Sequence, residues 1–400
     1  MMEGYTAAAA PRAADPVISS RLLLLVTVAC GFGAANLYYS QPLAGPISSA
    51  MGLAPQATGL IVTLTQIGYG VGLVLIVPLS DLIENRGLVL VGLAVLVLAL
   101  LGMALSTQAL ALLTAALFMG LGSVVVQVLI PYVAHMTPEA TRGRVVGKIM
   151  GGTALGVMVA RPVASLLADA LSWRAVFLLS ACIMSALALP LCRALPRRVP
   201  AMGLSYAGLL ASMTELVSST PLLRRRALYQ ALLGGAFSLF WTTTPLLLAG
   251  PAFHLTQRAI GLYSLAGAAG VVVAPVAGRL ADRGYGRSLS ATAMLVAAGA
   301  YLMVLRINDS SALSLCLLVG AALLLDSGVA ANMVLGQRML FTLGAEIRGR
   351  LNGLYVASFF TGCAIGSALG GLAYAQGGWT LAAGAGLTLP VIAWLCLMTE

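Results

Sequence analysis

The sequence predicts an all-α membrane protein with 12 transmembrane helices, arranged as two six-helix bundles with both termini in the cytoplasm. Three observations predict this fold class. Of the 400 residues, 60% are hydrophobic and only 8% are charged. Apolar runs of spanning length recur along the whole chain, and Lys and Arg concentrate in alternate loops. Because a soluble domain carries about 25% charged residues, the composition excludes a soluble enzyme and a nucleic-acid-binding module.

The transmembrane prediction rests on twelve apolar segments, and a spanning helix needs about 20 such residues. Continuous apolar runs favour helices, because the strands of a membrane barrel would alternate polar and apolar residues. The segments lie near residues 20–46, 56–80, 87–106, 109–135, 143–168, 173–193, 227–250, 258–281, 288–306, 311–341, 349–375 and 378–398.

The same segments predict four parts of the chain. Residues 1–19 are expected to form a flexible cytoplasmic tail, and residues 20–193 the N-terminal bundle. Residues 194–226 would be a cytoplasmic linker, and residues 227–400 the C-terminal bundle. The linker is rich in arginine, and its stretch from Tyr206 to Leu216 is either a surface amphipathic helix or part of a plain basic connection.

The orientation follows from the distribution of basic residues. With the N-terminus in the cytoplasm, 18 of the 22 Lys and Arg residues fall on the cytoplasmic side. Only Arg174, Arg258 and Arg306 fall in outer loops, and Arg161 lies inside the fifth span. Cytoplasmic loops carry an excess of Lys and Arg, so both termini are predicted to be cytoplasmic. The net charge of +10 then needs no nucleic-acid partner.

The two halves of the sequence resemble each other. The segment 142–147 (RGRVVG) precedes the fifth span, and the segment 348–353 (RGRLNG) precedes the eleventh, at an offset of 206 residues. The same offset joins Trp173 to Trp379. Near the start of each half, the segment 38–43 (YYSQPL) parallels 241–246 (WTTTPL). Two repeats of the same orientation indicate a transporter with its substrate route between the halves.

A loop motif identifies the family that the chain resembles. The second half contains Gly278-Arg-Leu-Ala-Asp282-Arg283 followed by Gly286-Arg287, which resembles the loop signature of the major facilitator superfamily. The first half keeps Leu79, Asp81 and Arg86 of that signature but lacks its glycines. The resemblance implies a charge network at a cytoplasmic gate; the alternative is a positively charged tight turn. The gating candidates are Asp81, Arg86, Gly278, Asp282, Arg283 and Arg287.

Two further stretches indicate the branch of that superfamily. The stretch from Asn36 to Leu43 is similar to the bacterial arabinose-efflux-like and drug:proton antiporter permeases. The fifth span is rich in glycine and reaches Arg161-Pro162, like a variant of the antiporter pattern that ends in Gly-Pro. However, Ala116 stands where exporters often carry an arginine linked to proton coupling. Proton coupling therefore cannot be carried over through that position.

Only two charged residues lie deep in the predicted spans, namely Arg161 in span five and Asp326 in span ten. Each costs about 2.5–3.5 kcal/mol at a helix centre, and such residues usually mark a pathway. The family resemblance implies that spans one, four, seven and ten line the cavity, which makes Asp326 on span ten the best candidate for a proton carrier or for the partner of a cationic substrate. It could instead be a structural acid that pairs with Arg161. Arg161 could alternatively hold an anionic substrate, because guanidinium stays charged.

Polar and aromatic residues on the helices predicted to line the cavity complete the predicted site. Each of them could instead form a hydrogen bond between helices, because amides and hydroxyls need partners in hydrocarbon. An aromatic, mostly neutral cavity would suit an amphipathic or weakly charged solute. The candidates are Asn36, Tyr38, Tyr39, Gln41, Gln66, Tyr69, Gln127, Trp241, Thr242, Asn332 and Phe359, with Phe360 beside the last.

The predicted function is secondary active transport across the bacterial inner membrane, with proton-coupled efflux of small amphipathic compounds by alternating access. The alternative is proton symport or facilitated uptake of a small metabolite. A membrane enzyme or sensor is a third hypothesis, but the sequence contains no nucleophile–base set, metal cluster or phosphate-binding loop that supports it. The expected partners are the lipid bilayer, a small-molecule substrate and protons. A monomer is expected, with no cofactor, no metal and no nucleic acid.

Overall fold

The computed structural model describes residues 19–200, 205–281, 286–307, 309–344 and 346–400, so the predicted tail before residue 19 lies outside them. Helices dominate these residues, and none of them forms a strand. The helices of the first half and the linker are α1 (Ser20–Ala35), α2 (Ser40–Ala50), α3 (Leu60–Leu75), α4 (Asn85–Leu105), α5 (Ala109–Ser123), α6 (Val125–His135), α7 (Glu139–Ala170), α8 (Trp173–Ala194) and α9 (Tyr206–Ser219). Those of the second half are α10 (Pro221–Ala249), α11 (Gln257–Tyr263), α12 (Ala269–Ala281), α13 (Gly286–Val304), α14 (Ala312–Phe341) and α15 (Arg348–Met398).

The helices have the length and composition of membrane spans. Within the described ranges, ten helical segments are long and apolar enough to cross a bilayer, and α1 with α2 supplies another as a pair bent by 49°. Large apolar side chains on their outer faces are exposed, among them Leu98, Leu105 and Leu110 at 68%, 69% and 76%. Apolar surface on the outside of helices of spanning length is typical of contact with lipid. The predicted class of multi-pass, all-helical membrane protein is confirmed at this level.

The first predicted span is not continuous. The prediction placed one helix over residues 20–46, but α1 ends at Ala35 and α2 begins at Ser40. Pro42 explains the break, because proline lacks a backbone N–H and its ring clashes with the carbonyl four residues earlier, that of Tyr38. The segment from Tyr38 to Gln41 is thereby held at a bend in the middle of the span.

Two glycines divide the last helix. α15 runs from Arg348 to Met398, but its backbone departs from helical geometry at Gly377 (φ −141°, ψ 18°) and Gly378 (φ 62°, ψ −155°). The conformation of Gly378 has a positive φ, which strongly favours glycine. The break lies between the two segments predicted near 349–375 and 378–398.

Equivalent glycines pack the helices of both halves. A side chain at Gly156 on α7 would collide with the backbone of Gly31 on α1. A side chain at Gly362 on α15 would collide in the same way with the backbone of Ala231 on α10. Gly156 and Gly362 are separated by the repeat offset of 206 residues. Small residues allow such close backbone approach between membrane helices, so the glycines of the fifth span have a packing role.

The linker helix α9 contacts both halves. The Tyr206 hydroxyl donates a hydrogen bond to the backbone oxygen of Leu75 at 2.8 Å. Arg350 Nη1, at the start of α15, donates to Ser212 Oγ at 2.8 Å. The end of the bundle where α9 lies is called the linker end below, and the opposite end, near Ala170, is called the far end.

Candidate functional site

A buried centre of opposite charges lies where the two halves meet. Arg161 projects from α7 of the first half and is 3% exposed, whereas Asp326 projects from α14 of the second half and is 6% exposed. Trp241 on α10 is fully buried and contacts both. The structure therefore brings the two deep charges of the sequence to one place and joins them through an aromatic side chain.

Aromatic rings enclose the Arg161 guanidinium. Its Cζ lies 4.1 Å from the centroid of the Trp241 ring and 5.1 Å from the centroids of the Tyr38 and Phe237 rings. Its Nε donates a hydrogen bond to Gln41 Oε1 at 2.7 Å. A desolvated cation–π contact contributes about 2 kcal/mol, so these rings offset part of the cost of burying the charge. The bend at Tyr38 to Gln41 supplies two of the four contacts.

Asp326 is held by Trp241 rather than by a direct ion pair. Its Oδ1 accepts a hydrogen bond from Trp241 Nε1 at 2.8 Å. In the part of the chain that the structure describes, Asp326 and Arg161 form no ion pair within 4.0 Å. A Cβ atom at Gly267 would lie 2.8 Å from Arg161 Nη1 and 3.1 Å from Asp326 Oδ2. The absence of a side chain at Gly267 therefore lets its backbone cover the centre closely.

A row of aromatic side chains leads away from this centre. The Phe237 ring lies 6.1 Å from that of Phe359, which lies 5.1 Å from that of Phe360, which lies 4.4 Å from that of Tyr69. The Tyr69 hydroxyl then accepts a hydrogen bond from Gln127 Nε2 at 3.0 Å. We call Phe237, Phe359, Phe360 and Tyr69 the aromatic row. It crosses from the second half of the chain to the first.

A cavity of about 420 Å³ lies at the linker end, between the halves. Gln127 lines it and also contacts Tyr69, so the aromatic row connects the cavity with the buried centre. Both halves and α9 contribute to its wall, which includes Leu73, Asp81, His135, Leu209, Met213, Phe341, Arg348, Arg350 and Asn352.

The halves meet tightly at the far end. Thr63 Oγ1 on α3 and Ser367 Oγ on α15 are 2.7 Å apart and share a hydrogen bond. The backbone N–H of Arg258 donates to Asp169 Oδ1 at 3.3 Å. A side chain at Gly59 would collide with the backbone oxygen of Ser367. The centre is therefore closed toward the far end, while the cavity lies toward the linker end.

Two of the predicted cavity residues form hydrogen bonds between helices of one half, which is the alternative stated for each candidate. Asn36 Oδ1 accepts a hydrogen bond from Ser180 Oγ at 2.7 Å, which joins α1 to α8. Asn332 Nδ2 donates to Gln230 Oε1 at 2.8 Å, which joins α14 to α10. Their side chains bond between helices of the same half, away from the Arg161 contacts.

Three other predicted residues are buried. Tyr39 and Thr242 are 5% and 0% exposed. Gln66 is 1% exposed, and neither side-chain polar atom finds a hydrogen-bond partner among the described residues. It lines a largely apolar groove of about 620 Å³ between α3 and α15.

The predicted gating residues of the first half lie near the linker end. Asp81 is half-buried and lines the cavity at that end. Arg86 is half-buried in the first turn of α4. Glu84 caps this helix by accepting a hydrogen bond from the backbone N–H of Gly87 at 3.1 Å.

The gating residues of the second half are described only in part. Asp282 and Arg283 lie outside the described residues. Gly278 lies on α12, where a Cβ would be 3.6 Å from Arg338 Nη2. Arg287 Nη2 donates a hydrogen bond to the backbone oxygen of Leu397 at 3.4 Å. The charge network implied by the family resemblance stays a prediction for this loop.

Phe237 is a site residue that the sequence analysis missed. It packs on Arg161 and begins the aromatic row. A phenylalanine in an apolar span carries no signal of its own. Its position four residues before Trp241 was the available clue, because residues four apart share one face of a helix.

Comparisons with known proteins identify the family. The model of the Major Facilitator Superfamily matches residues 23–323 and 227–400. The chain belongs to the major facilitator superfamily. This major facilitator protein is 36% identical over 376 residues to the Uncharacterized transporter YgaY of Escherichia coli O157:H7, with 94% of each chain covered. It is 34% identical over 382 residues to the Probable transporter SCO4007 of Streptomyces coelicolor, with 95% of this chain and 86% of the relative covered.

The structural comparison supports the fold of the family. A bacterial homolog of the human lysosomal transporter Spinster, in an inward-facing and unoccupied conformation, matches with a TM-score of 0.74 at 14% identity. The match covers 95% of this chain and 97% of the other. At this identity the likeness shows the fold alone. The family and its transporter relatives make this chain a multi-pass membrane transport protein and not an enzyme.

Proposed function

We propose that this major facilitator protein exports small amphipathic compounds in exchange for protons, by alternating access. The observation that carries the proposal is the buried Asp326–Trp241–Arg161 centre between the halves, with a cavity between the halves at the linker end. A carboxylate inside a membrane protein is costly and usually serves an ion or substrate pathway. Ala116 provides no ionisable group in the fourth span. We therefore assign the binding and release of the transported proton to Asp326.

Alternating access requires a centre that belongs to both halves. Arg161 and Tyr38 come from the first half, whereas Trp241 and Asp326 come from the second. A rocking movement of the halves would separate these contacts and open the far end while closing the linker end. Protonation removes the charge of Asp326 and so changes its attraction to Arg161, which biases the two arrangements differently.

The proposal includes a topology of 12 spans with both termini on the cytoplasmic side of a bacterial inner membrane. The division of α15 at Gly377 and Gly378 supports the count, and the concentration of Lys and Arg in alternate loops supports the orientation. The linker end is then cytoplasmic, and the structure represents an inward-facing state. The antiporter-like glycines of α7 and the resemblance of residues 36–43 to efflux permeases support the export direction.

The topology predicts opposite accessibility for the start of α13 and for the loop between α13 and α14. In a background without the six native cysteines, a cysteine at Ser310 should react with a membrane-impermeant maleimide added to whole cells. A cysteine at Gly286 should react only after the membrane is permeabilised. Equal labelling of both positions in intact cells would overturn the topology.

Export predicts lower accumulation of some compounds in cells that express the protein. We expect reduced intracellular levels of fluorescent dyes or antibiotics, and we expect a protonophore to abolish the reduction because it removes the driving force. Accumulation is measured across a panel of amphipathic compounds, with Asp326→Asn as the matched inactive protein. Equal accumulation with and without the protonophore would contradict proton-coupled export.

Proton symport of a small metabolite is the second candidate function. The close placement of Arg161 and Asp326 favours it, because an anionic solute on Arg161 together with a proton on Asp326 leaves the net charge of the centre unchanged. The two candidates differ in the direction of proton movement. A pH-sensitive dye inside proteoliposomes should report protons moving opposite to the solute for exchange, and with the solute for symport.

A further inference from the structure

Three aromatic rings contact the Arg161 guanidinium. The three rings of Trp241, Tyr38 and Phe237 surround its Cζ at 4.1 to 5.1 Å. These cation–π contacts supply no oxygen or nitrogen acceptor, so the N–H groups of the guanidinium still need hydrogen-bond acceptors. The arrangement therefore positions Arg161 as a hydrogen-bond donor and not only as a buried charge.

The donors on this edge lack acceptors. Arg161 Nη2 is buried and has no hydrogen-bond partner among the described residues. The same is true of Gln41 Nε2, whose amide is fixed beside the guanidinium by the 2.7 Å bond from Arg161 Nε to Gln41 Oε1. Buried polar groups are nearly always paired. Two adjacent buried donors without acceptors indicate a place for an acceptor that is supplied by a ligand.

The carboxylate of Asp326 does not fill this role. Its Oδ1 accepts from Trp241 Nε1, and no ion pair within 4.0 Å joins it to Arg161 in the described part of the chain. A cationic ligand is also disfavoured, because the aromatic faces that would hold it already hold the guanidinium. An anionic group is the chemistry that the free donors of Arg161 and Gln41 fit.

We propose that Arg161 and Gln41 bind the carboxylate of an organic anion, and that the apolar body of this anion lies along the aromatic row. Arginine matches a planar carboxylate through parallel N–H donors. Phe237, Phe359 and Phe360 are apolar and buried, and the row ends at Tyr69, which contacts Gln127 in the wall of the cavity at the linker end. The inference rests on the proposed transport function and names its substrate class, for either direction of transport.

The test measures ligand binding to the purified full-length protein in nanodiscs. The probes are 3-phenylpropionate, its amide, the corresponding amine 3-phenylpropylamine, and phenylphosphonate. Thermal unfolding midpoints and tryptophan fluorescence are recorded for each. We expect 3-phenylpropionate to raise the midpoint and quench the fluorescence, while the amide and the amine leave both unchanged. A stronger effect of phenylphosphonate would indicate that the site binds a phosphate-type head group and not a carboxylate, which would overturn this assignment.

The variants assign the binding to the centre. Arg161→Gln should remove the response to 3-phenylpropionate, and Arg161→Lys should weaken it by about tenfold, since lysine lacks the planar fork. Arg174→Gln is the matched control, because Arg174 also stacks on a tryptophan, with its Cζ 4.2 Å from the Trp173 ring centroid. This control should bind as the wild type does. The comparison of the probes uses the wild-type protein, so its result does not depend on whether a variant folds.

The outcomes separate this inference from the proposed function. Preference for the amine, no preference for the carboxylate, or equal binding by Arg161→Gln would overturn the anion site. Carboxylate binding that depends on Arg161, with solute flux insensitive to a pH gradient, would support the anion site and contradict proton coupling. Proton-driven flux of other solutes without carboxylate binding would support proton coupling and contradict the anion site.

Discussion

Asp326→Asn is expected to reduce pH-gradient-driven transport to the level of protein-free liposomes. Asparagine retains a side-chain oxygen that can accept the hydrogen bond from Trp241 Nε1, which is 2.8 Å long in the structure. It cannot bind and release a proton. The hydrogen bond to Trp241 is retained, but the carboxylate charge near Arg161 is lost, which should lower the free energy of unfolding. The assay is solute flux in proteoliposomes under an imposed pH gradient.

The control for this variant is another carboxylate of the same protein. Asp309 lies on an exposed turn between α13 and α14, where its Oδ1 accepts hydrogen bonds from Ser311 and Ser314. These bonds hold the pKa of Asp309 below its usual value. Asp309→Asn should transport as the wild type does. If Asp326→Asn retained pH-driven flux at the wild-type rate, another group would have to carry the proton.

A disulfide across the far end is expected to stop transport completely. Thr63 Oγ1 and Ser367 Oγ lie 2.7 Å apart on helices from opposite halves, so cysteines at these positions should come close enough to bond. Alternating access requires the two helices to separate when the far end opens. The measurement compares solute flux before and after oxidation of Thr63→Cys/Ser367→Cys in a background without native cysteines.

Reduction and the single variants complete this test. A reducing agent should restore flux in the double variant, and each single cysteine variant should be indifferent to oxidation. An oxidised protein that is fully cross-linked and still transports would show that the far end does not need to open at Thr63. The proposed movement of the two halves would then be wrong.

The membrane fold could be predicted because its signals are local. Runs of apolar residues mark the helices, and the placement of Lys and Arg indicates sides. The break between α1 and α2 could also have been predicted, since Pro42 lies in the predicted span and proline interrupts helices. It was missed because proline is tolerated in membrane helices, so its effect depends on the surrounding contacts.

The centre could be predicted only in part. Arg161 and Asp326 were recognisable because isolated charges in apolar spans are rare, and Trp241 because aromatic residues recur at matching places in the halves. Phe237 carried no such signal. For Asn36 the sequence left two alternatives, a place at the cavity or a hydrogen bond between helices, and its bond to Ser180 agrees with the second. Which neighbour it meets depends on helix rotation, which an all-apolar helix does not reveal.

The central claim is that a proton gradient drives solute movement through the Asp326–Trp241–Arg161 centre. The most direct measurement is the initial rate of solute movement in wild-type proteoliposomes at zero, inward and outward pH gradients. The proposed exchange predicts that solute moves against the direction of the proton gradient and that its movement reverses when the gradient is reversed. Equal rates under all three conditions would contradict proton coupling.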